Sequence, residues 1–439
     1  MNPSFSLLDT RNFQLLQLLV LSVIVGIAGA FAVLAFRWLL LFAESTLYSS
    51  SLGLVADARE LPLMLRCIAP AVGGLLAGLI IERFIENKKD KGGADYMEAI
   101  FAGSDLPVAG SLLKSTASAA SVVSGGSIGR EGSMVQLAAL TGSVLANLLR
   151  LPPQKRHFLI ACGAAAGVAG AYNTPIAGSL FVAEIVLGSI TVSNLAPLLL
   201  TSVVSDLIVR HITHVGPIYA IDPRSLSTAP ELFFVILLGT CAGVLGAGFI
   251  ALLNRVHVMF ERVSKPVWLK MSVAGLAVGG LSMISPEVWG NGYSVINNLL
   301  HEHHALNAVL LIFFLKTVAT LLTTGSGALG GVFTPTLFIG ATLGSLGGGV
   351  VHLILSNTSE NSYALVGMGA FLAAVTHAPL TAVVMVSEMT FGFTLLPAIA
   401  LGCLIGYYVS SMLHETSIYA QSKPMTHPTE HLAIEEIVK

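Results

Sequence analysis

Apolar runs of roughly membrane-span length recur along the whole chain, broken only by short polar segments. They cover residues 15–42, 61–85, 106–123, 133–151, 158–171 and 175–187, a polar-poor stretch to His211, then 230–255, 267–284, 305–324, 333–355, 363–375, 379–391 and 395–413. Residues are 54% hydrophobic and only 10% charged, whereas a soluble chain carries about a quarter charged residues. The mean hydropathy of +0.81 has the same meaning: lipid as well as protein bounds the core. The chain is predicted to be one multi-pass, all-α integral membrane domain over 1–439.

Several of these runs are shorter than the roughly 20 residues that cross a bilayer, and 44 glycines and 18 prolines punctuate them. Lipid satisfies no backbone hydrogen bonds, so broken helices persist only where protein or an aqueous cavity covers them. Many tilted and broken helices around a transport path are expected.

A net charge of −2 offers no basic surface, so nucleic acid is not expected as a partner. Cys67, Cys162, Cys241 and Cys403 lie far apart in apolar runs and read as core thiols. The polar start to Gln14 lacks signal-peptide order, so the first run is a spanning helix.

The chain repeats itself. Gly93 of GGADYMEAI corresponds to Gly292 of GNGYSVI 199 residues later, Lys114 to Lys316 at 202, Gly129 to Gly330 at 201, and Pro175 to Pro379 at 204. Glu184 and Glu388 share the last offset. The opening helices, at Val25 and Ala242, sit 217 apart because the first half carries an extra loop, 43–60. Repeats over 15–211 and 230–419 follow, with a short cytoplasmic tail at 420–439. Arg83, Lys88, Lys89 and Lys91 place the loop before the first glycine motif inside. An odd number of passes between equivalent landmarks would invert the second half and set a symmetric site near mid-bilayer.

Residues 125–132, GGSIGREG, lie between two apolar runs and are expected to open a helix at about Ser133; their repeat partner, 325–333, opens another before Thr334-Pro335. Helix N-termini hold anions through free amides and the macrodipole. Two such starts facing one ion would bind it without a full charge that would trap it. Glu131 is an intramembrane carboxylate beside this turn, a costly placement that signals function. Deprotonated, it competes with an anion for the amides; protonated, it leaves, so it serves as gate and proton carrier. The structural alternative is a helix-capping acid paired with Arg130.

GREG, GGVFTP, the two lysines, the two Pro-to-Glu segments and Ser417-Ile418-Tyr419 together resemble the chloride channel (CLC) family over nearly the whole chain. The resemblance implies two inverted-topology repeats, a homodimer with one pore per subunit, and Glu131 as the external gating glutamate. It also implies that backbone amides of Val332 and Phe333 line the central site and that the Tyr419 hydroxyl donates to the anion. The anion site is therefore expected at Ala94, Arg130, Gly132, Val332, Phe333 and Tyr419. It implies a short bacterial form without regulatory domains, in the inner membrane, with chloride or a similar anion and protons as cargo and no cofactor or reaction. Coupled anion/proton exchange and a passive voltage- or pH-gated channel both fit.

Two departures bear on mode. Ala94 stands where many relatives place a serine hydroxyl on the anion, and Ile185 follows Glu184 where many exchangers have a second glutamate on the internal proton route. Glu184 and Glu388 are expected to serve structure near helix ends, and Lys114 and Lys316 to bond carbonyl ends of broken helices. Asp95 reads as a helix cap, and His301-Glu302-His303-His304 as a solvated loop rather than a metal site.

Overall fold

The computed structural model describes residues 3–419 apart from 49–52, 87–94, 103, 220, 222, 303 and 356–358. The expected tail at 420–439, the lysine-rich segment, Ala94 and His303 therefore lie outside the described residues.

Among the described residues, the regular elements are helices. The first series is α1 (Pro3–Tyr48), α2 (Leu54–Glu60), α3 (Leu63–Ile80), α4 (Tyr96–Ala102), α5 (Val108–Val123), α6 (Glu131–Leu148), α7 (Pro153–Tyr172), α8 (Pro175–Phe181) and α9 (Val192–Thr213). The second is α10 (Ala229–Arg262), α11 (Val267–Ile284), α12 (Tyr293–His301), α13 (Leu306–Gly325), α14 (Phe333–Ile354), α15 (Glu360–Thr376), α16 (Pro379–Thr390) and α17 (Leu396–Leu413). π-Helical turns at Ile81–Glu86 and Val182–Val186 extend α3 and α8. Among the described residues, eight helices are long and apolar enough to cross a membrane.

The breaks follow from local chemistry. Asn173 and His377 end α7 and α15 in the left-handed region, both at φ 55°, and each is followed two residues later by the proline that opens the next helix. Proline tolerates that first position because its missing N–H would be unpaired there anyway. At α10, Thr228 and Glu231 form a reciprocal capping box.

Four expectations need correction. Helix α6 starts at Glu131, not Ser133, because the glycine loop ends its pairing with the second glycine loop at Gly129 and leaves the next residues free to coil. Helix α7 starts at Pro153 rather than 158, its polar first turn following a proline. The expected loop 43–60 is largely helical: α1 runs on to Tyr48, whose hydroxyl donates to the Val123 carbonyl at 2.8 Å, and α2 packs Ala58 against a core with Trp289. Cys162 and Cys403 are buried thiols, whereas Cys67 is half-buried and Cys241 exposed.

Equivalent helices pack alike in the two series. α1 against α9 matches α10 against α17, α6 against α7 matches α14 against α15, and α7 against α9 matches α15 against α17. Two equivalent pairs meet each other, α3 with α11 and α8 with α16, so a pseudo-two-fold axis passes between them. In the first pair a Cβ on Gly74 would strike the Met271 carbonyl and one on Gly78 the Trp268 backbone, while Gly275 abuts Pro70 and Gly279 abuts Cys67. Positions fall along α11 as they rise along α3. Equivalent spanning helices thus run antiparallel, which lays the axis in the membrane plane and makes the two halves inverted in topology. Glycine lets these backbones close up, the main attraction available between helices in lipid. Large apolar side chains such as Leu148, Leu353 and Met412 point outward instead, at 77%, 78% and 82% exposure.

Candidate functional site

The two glycine-rich loops meet on the pseudo-axis. Gly129 and Gly331 form an antiparallel bridge, with Gly129 N–H donating to Gly331 O at 2.7 Å and Gly331 N–H to Gly129 O at 2.8 Å. A Cβ on Gly129 would collide with the Glu131 carboxylate and sit 2.8 Å from the Gly331 carbonyl, so this crossing requires glycine. Behind it, the Ser127 and Thr320 hydroxyls bond at 3.1 Å, and Ser127 N–H donates to the Thr323 hydroxyl at 3.2 Å.

Each loop feeds a helix, α6 at Glu131 and α14 at Phe333, whose first-turn amides have no intrahelical acceptor. Both starts line one cavity of about 220 Å³, together with the beginning of α4. Glu131, Gly132, Val332, Phe333 and Tyr419 all lie on its wall. Arg130 does not: it precedes α6 and places its guanidinium 5.8 Å from the centre of the Tyr293 ring. None of the ion pairs found among the described residues joins it to Glu131.

Glu131 is 2% exposed. Asn291 Nδ2 donates to its Oε1 at 3.0 Å, while Oε2 has no protein hydrogen-bond partner. Aromatic rings floor the cavity: Tyr172 and Phe181 stand 5.1 and 6.0 Å from Phe333, and Phe181 meets Tyr419 edge-on at 5.8 Å. The Tyr172 hydroxyl pairs with that of Thr334 at 3.2 Å.

The wall also carries Asp95, Tyr96 and Lys114. The Gln136 side chain accepts from Tyr96 N–H at 2.9 Å and donates to the Ser111 hydroxyl at 3.1 Å, tying the start of α4 to α5 and α6. Burial pushes the Asp95 carboxyl above its ordinary range, against the opposing pull of Lys114 and the Tyr96 amide. Asp95 Oδ1 accepts from the adjacent Tyr96 N–H at 2.7 Å.

The other predicted residues take structural positions. Glu184 accepts from the amides of Leu380 and Thr381 at 3.2 and 2.7 Å and from the Thr381 hydroxyl. Glu388 accepts from those of Ile176 and Ala177 at 3.1 and 2.8 Å. Ile185 is buried. Lys316 is wholly buried and donates to the Val288 and Gly290 carbonyls at 3.0 and 2.7 Å. His301 Nδ1 lies 2.8 Å from the Asn297 carbonyl of its own helix, and among the described residues no three His, Cys, Asp or Glu side chains converge as a metal site. Asn291, Tyr172 and Phe181 were not predicted. Asn291 neighbours the landmark Gly292, the one signal that could have drawn attention to it.

Comparison with known proteins agrees with this geometry. Residues 73–411 match the family described as voltage gated chloride channel. A ClcB-like chloride channel protein of Ralstonia nicotianae is 45% identical over 412 residues, spanning 92% of this chain and 96% of that one. The voltage-gated ClC-type chloride channel ClcB of Escherichia coli O81 is 40% identical over 411 residues, or 92% and 98% of the two chains. Among solved structures, a slow cyanobacterial Cl⁻/H⁺ antiporter superposes with a TM-score of 0.79 at 24% identity, covering 93% of this chain and 96% of its own. A CLC-type fluoride/proton antiporter gives 0.75 at 25% identity, covering 94% and 98%.

Proposed function

The chain belongs to the voltage gated chloride channel (CLC) family, and from that premise we propose that it carries chloride or a similar small anion across the membrane in exchange for protons, with Glu131 as the gate. The observation that supports this best is the burial of Glu131 at the start of α6, on the wall of a cavity that the start of α14 also lines. An anion entering that cavity gains two sets of first-turn amides and the positive ends of two helix dipoles. The Glu131 carboxylate competes for the same groups. Protonation removes its charge and its claim on them, so the side chain leaves and the anion passes.

The Tyr419 hydroxyl supplies a neutral donor to the anion, and the amides of Gly132, Val332 and Phe333 supply the rest, with Arg130 raising the local potential. Alanine at position 94 brings no hydroxyl, so discrimination among chloride, bromide and nitrate rests on amides and Tyr419. One observation favours a second reading, a passive channel: Ile185 cannot relay a proton, and the neighbouring Glu184 carboxylate is committed to α16.

The protein works as a homodimer in a bacterial inner membrane, one pore per subunit, with repeats at 15–211 and 230–419 and a cytoplasmic tail beyond. Purified protein in liposomes loaded with chloride, with valinomycin and potassium to balance charge, tests the anion path. Fast chloride efflux supports the proposal, and efflux equal to that of empty liposomes overturns it.

A further inference from the structure

Asn291 lies in the tight segment between α11 and α12 and reaches across the pseudo-axis to the first residue of α6. Its amide orientation is fixed at both ends: Nδ2 donates to Glu131 Oε1 at 3.0 Å, and Oδ1 accepts from Tyr293 N–H at 3.4 Å. The backbone on either side is clamped. Lys316 Nζ holds the carbonyls of Val288 and Gly290 and stands 5.2 Å from the Phe338 ring. Gly292, at φ 91°, presses on that same ring, and Trp289 is wholly buried with its indole packed onto Gly125 of the gate's own loop. A donor carried by so constrained a segment meets the carboxylate with little ordering left to lose.

We propose that Asn291 is a positioning residue for the gate: its amide latches the ionised Glu131 in the closed position, and Lys316 holds the segment that carries it. This rests on the reading of Glu131 as the gate. The donor stabilises only the carboxylate that it bonds, so it opposes protonation and sets how acidic the medium must be before the gate opens. The groups that act on Glu131 are the Arg37 guanidinium and the phenols of Tyr172, Tyr219 and Tyr293, with Arg130 next to it in the chain; arginine and tyrosine are residue types that ordinarily titrate at about pH 10 or above. Asp95 and Lys114, on the same cavity, are still present in a Glu131→Gln variant. The pH dependence of that variant is the baseline.

The experiment is chloride efflux from liposomes as a function of pH for wild type, Asn291→Ala, Asn291→Gln, Glu131→Gln and Asn291→Ala with Glu131→Gln. A hydrogen bond to a charged group is worth about one pH unit of displaced titration. Asn291→Ala therefore moves the activation midpoint about one unit toward higher pH, Asn291→Gln keeps a donor and moves it less, and the double variant matches Glu131→Gln. Chloride binding by calorimetry at neutral pH gives a second readout, tightening severalfold in Asn291→Ala because the competitor is loosened. If Asn291→Ala fails to fold, Asn291→Ser carries both tests. Unmoved midpoint and affinity, with Glu131→Gln flattened, overturn the latch and leave the gate standing. A wild-type pH curve in Glu131→Gln overturns both.

Discussion

Glu184 and Glu388 cap each other's helices. The Glu184 carboxylate, in the π-turn that extends α8, bonds the first amides of α16, while Glu388, near the end of α16, bonds the first amides of α8. The two contacts are copies of one another across the pseudo-axis, and they engage both acids at helix starts.

Glu184→Ala and Glu388→Ala should each leave two amides without acceptors in a water-poor interior, at a cost of about 1–3 kcal/mol. Thermal unfolding in detergent should show both variants lowered by similar amounts. A large loss for one and none for the other would break the symmetry argument.

Lys316→Met keeps an unbranched buried side chain, one atom shorter, but deletes its donors to the Val288 and Gly290 carbonyls. Unpaired buried carbonyls again cost about 1–3 kcal/mol, so the melting temperature should fall. The freed segment should also raise chloride efflux at neutral pH through the loosened Asn291 contact. A variant as stable and as slow as wild type contradicts the clamp.

Stability should depend on pH through Glu287. Burial alone would raise its carboxyl, but hydrogen bonds from Ser285 and Arg59 outweigh burial and hold it below the ordinary range. A depressed carboxyl stabilises the fold above the unfolded value of about 4.3 and loses that contribution as pH falls through the folded value. Melting temperature should thus be flat in this contribution near neutrality and drop below about pH 4.3. Arg59→Ala should shrink that drop. Because Arg59 is 57% exposed, 1 M salt should mimic part of the substitution.

Tyr419→Phe keeps the edge-on contact with Phe181 and deletes the hydroxyl. Calorimetry should show chloride binding weakened by about tenfold, the worth of one hydrogen bond. Equal affinity would remove the hydroxyl from the anion site.

Much of this was legible in the sequence because the repeat carries its own register. The nearly constant interval of 199 to 204 residues between matched landmarks anticipated the equivalence of α8 with α16 through Pro175 and Pro379, and Phe333 as the start of α14 was read directly. The GREG and GGVFTP motifs led to the residues that line the cavity. What escaped depends on contacts between distant segments. Asn291 has no motif of its own, and its role arises only because the two glycine loops bridge at Gly129 and Gly331 and bring α12's approach beside α6. The helical character of 43–48 and 54–60 was hidden because it rests on packing Tyr48 and Ala58 against Trp289, a partner over 200 residues away. Arg130 reads as part of the anion site in sequence, and nothing there hints that its guanidinium stands 5.8 Å from the centre of the Tyr293 ring.

The central claim is that Glu131 takes a proton and yields its place to an anion. The most direct measurement is proton movement in weakly buffered liposomes with an imposed chloride gradient, recorded together with chloride flux for wild type and Glu131→Gln. The account predicts that chloride running down its gradient drives protons uphill in wild type, and that Glu131→Gln abolishes proton movement while chloride still passes. Chloride flux in wild type with no proton movement would contradict exchange, and uphill proton transport persisting in Glu131→Gln would contradict the assignment of Glu131 itself.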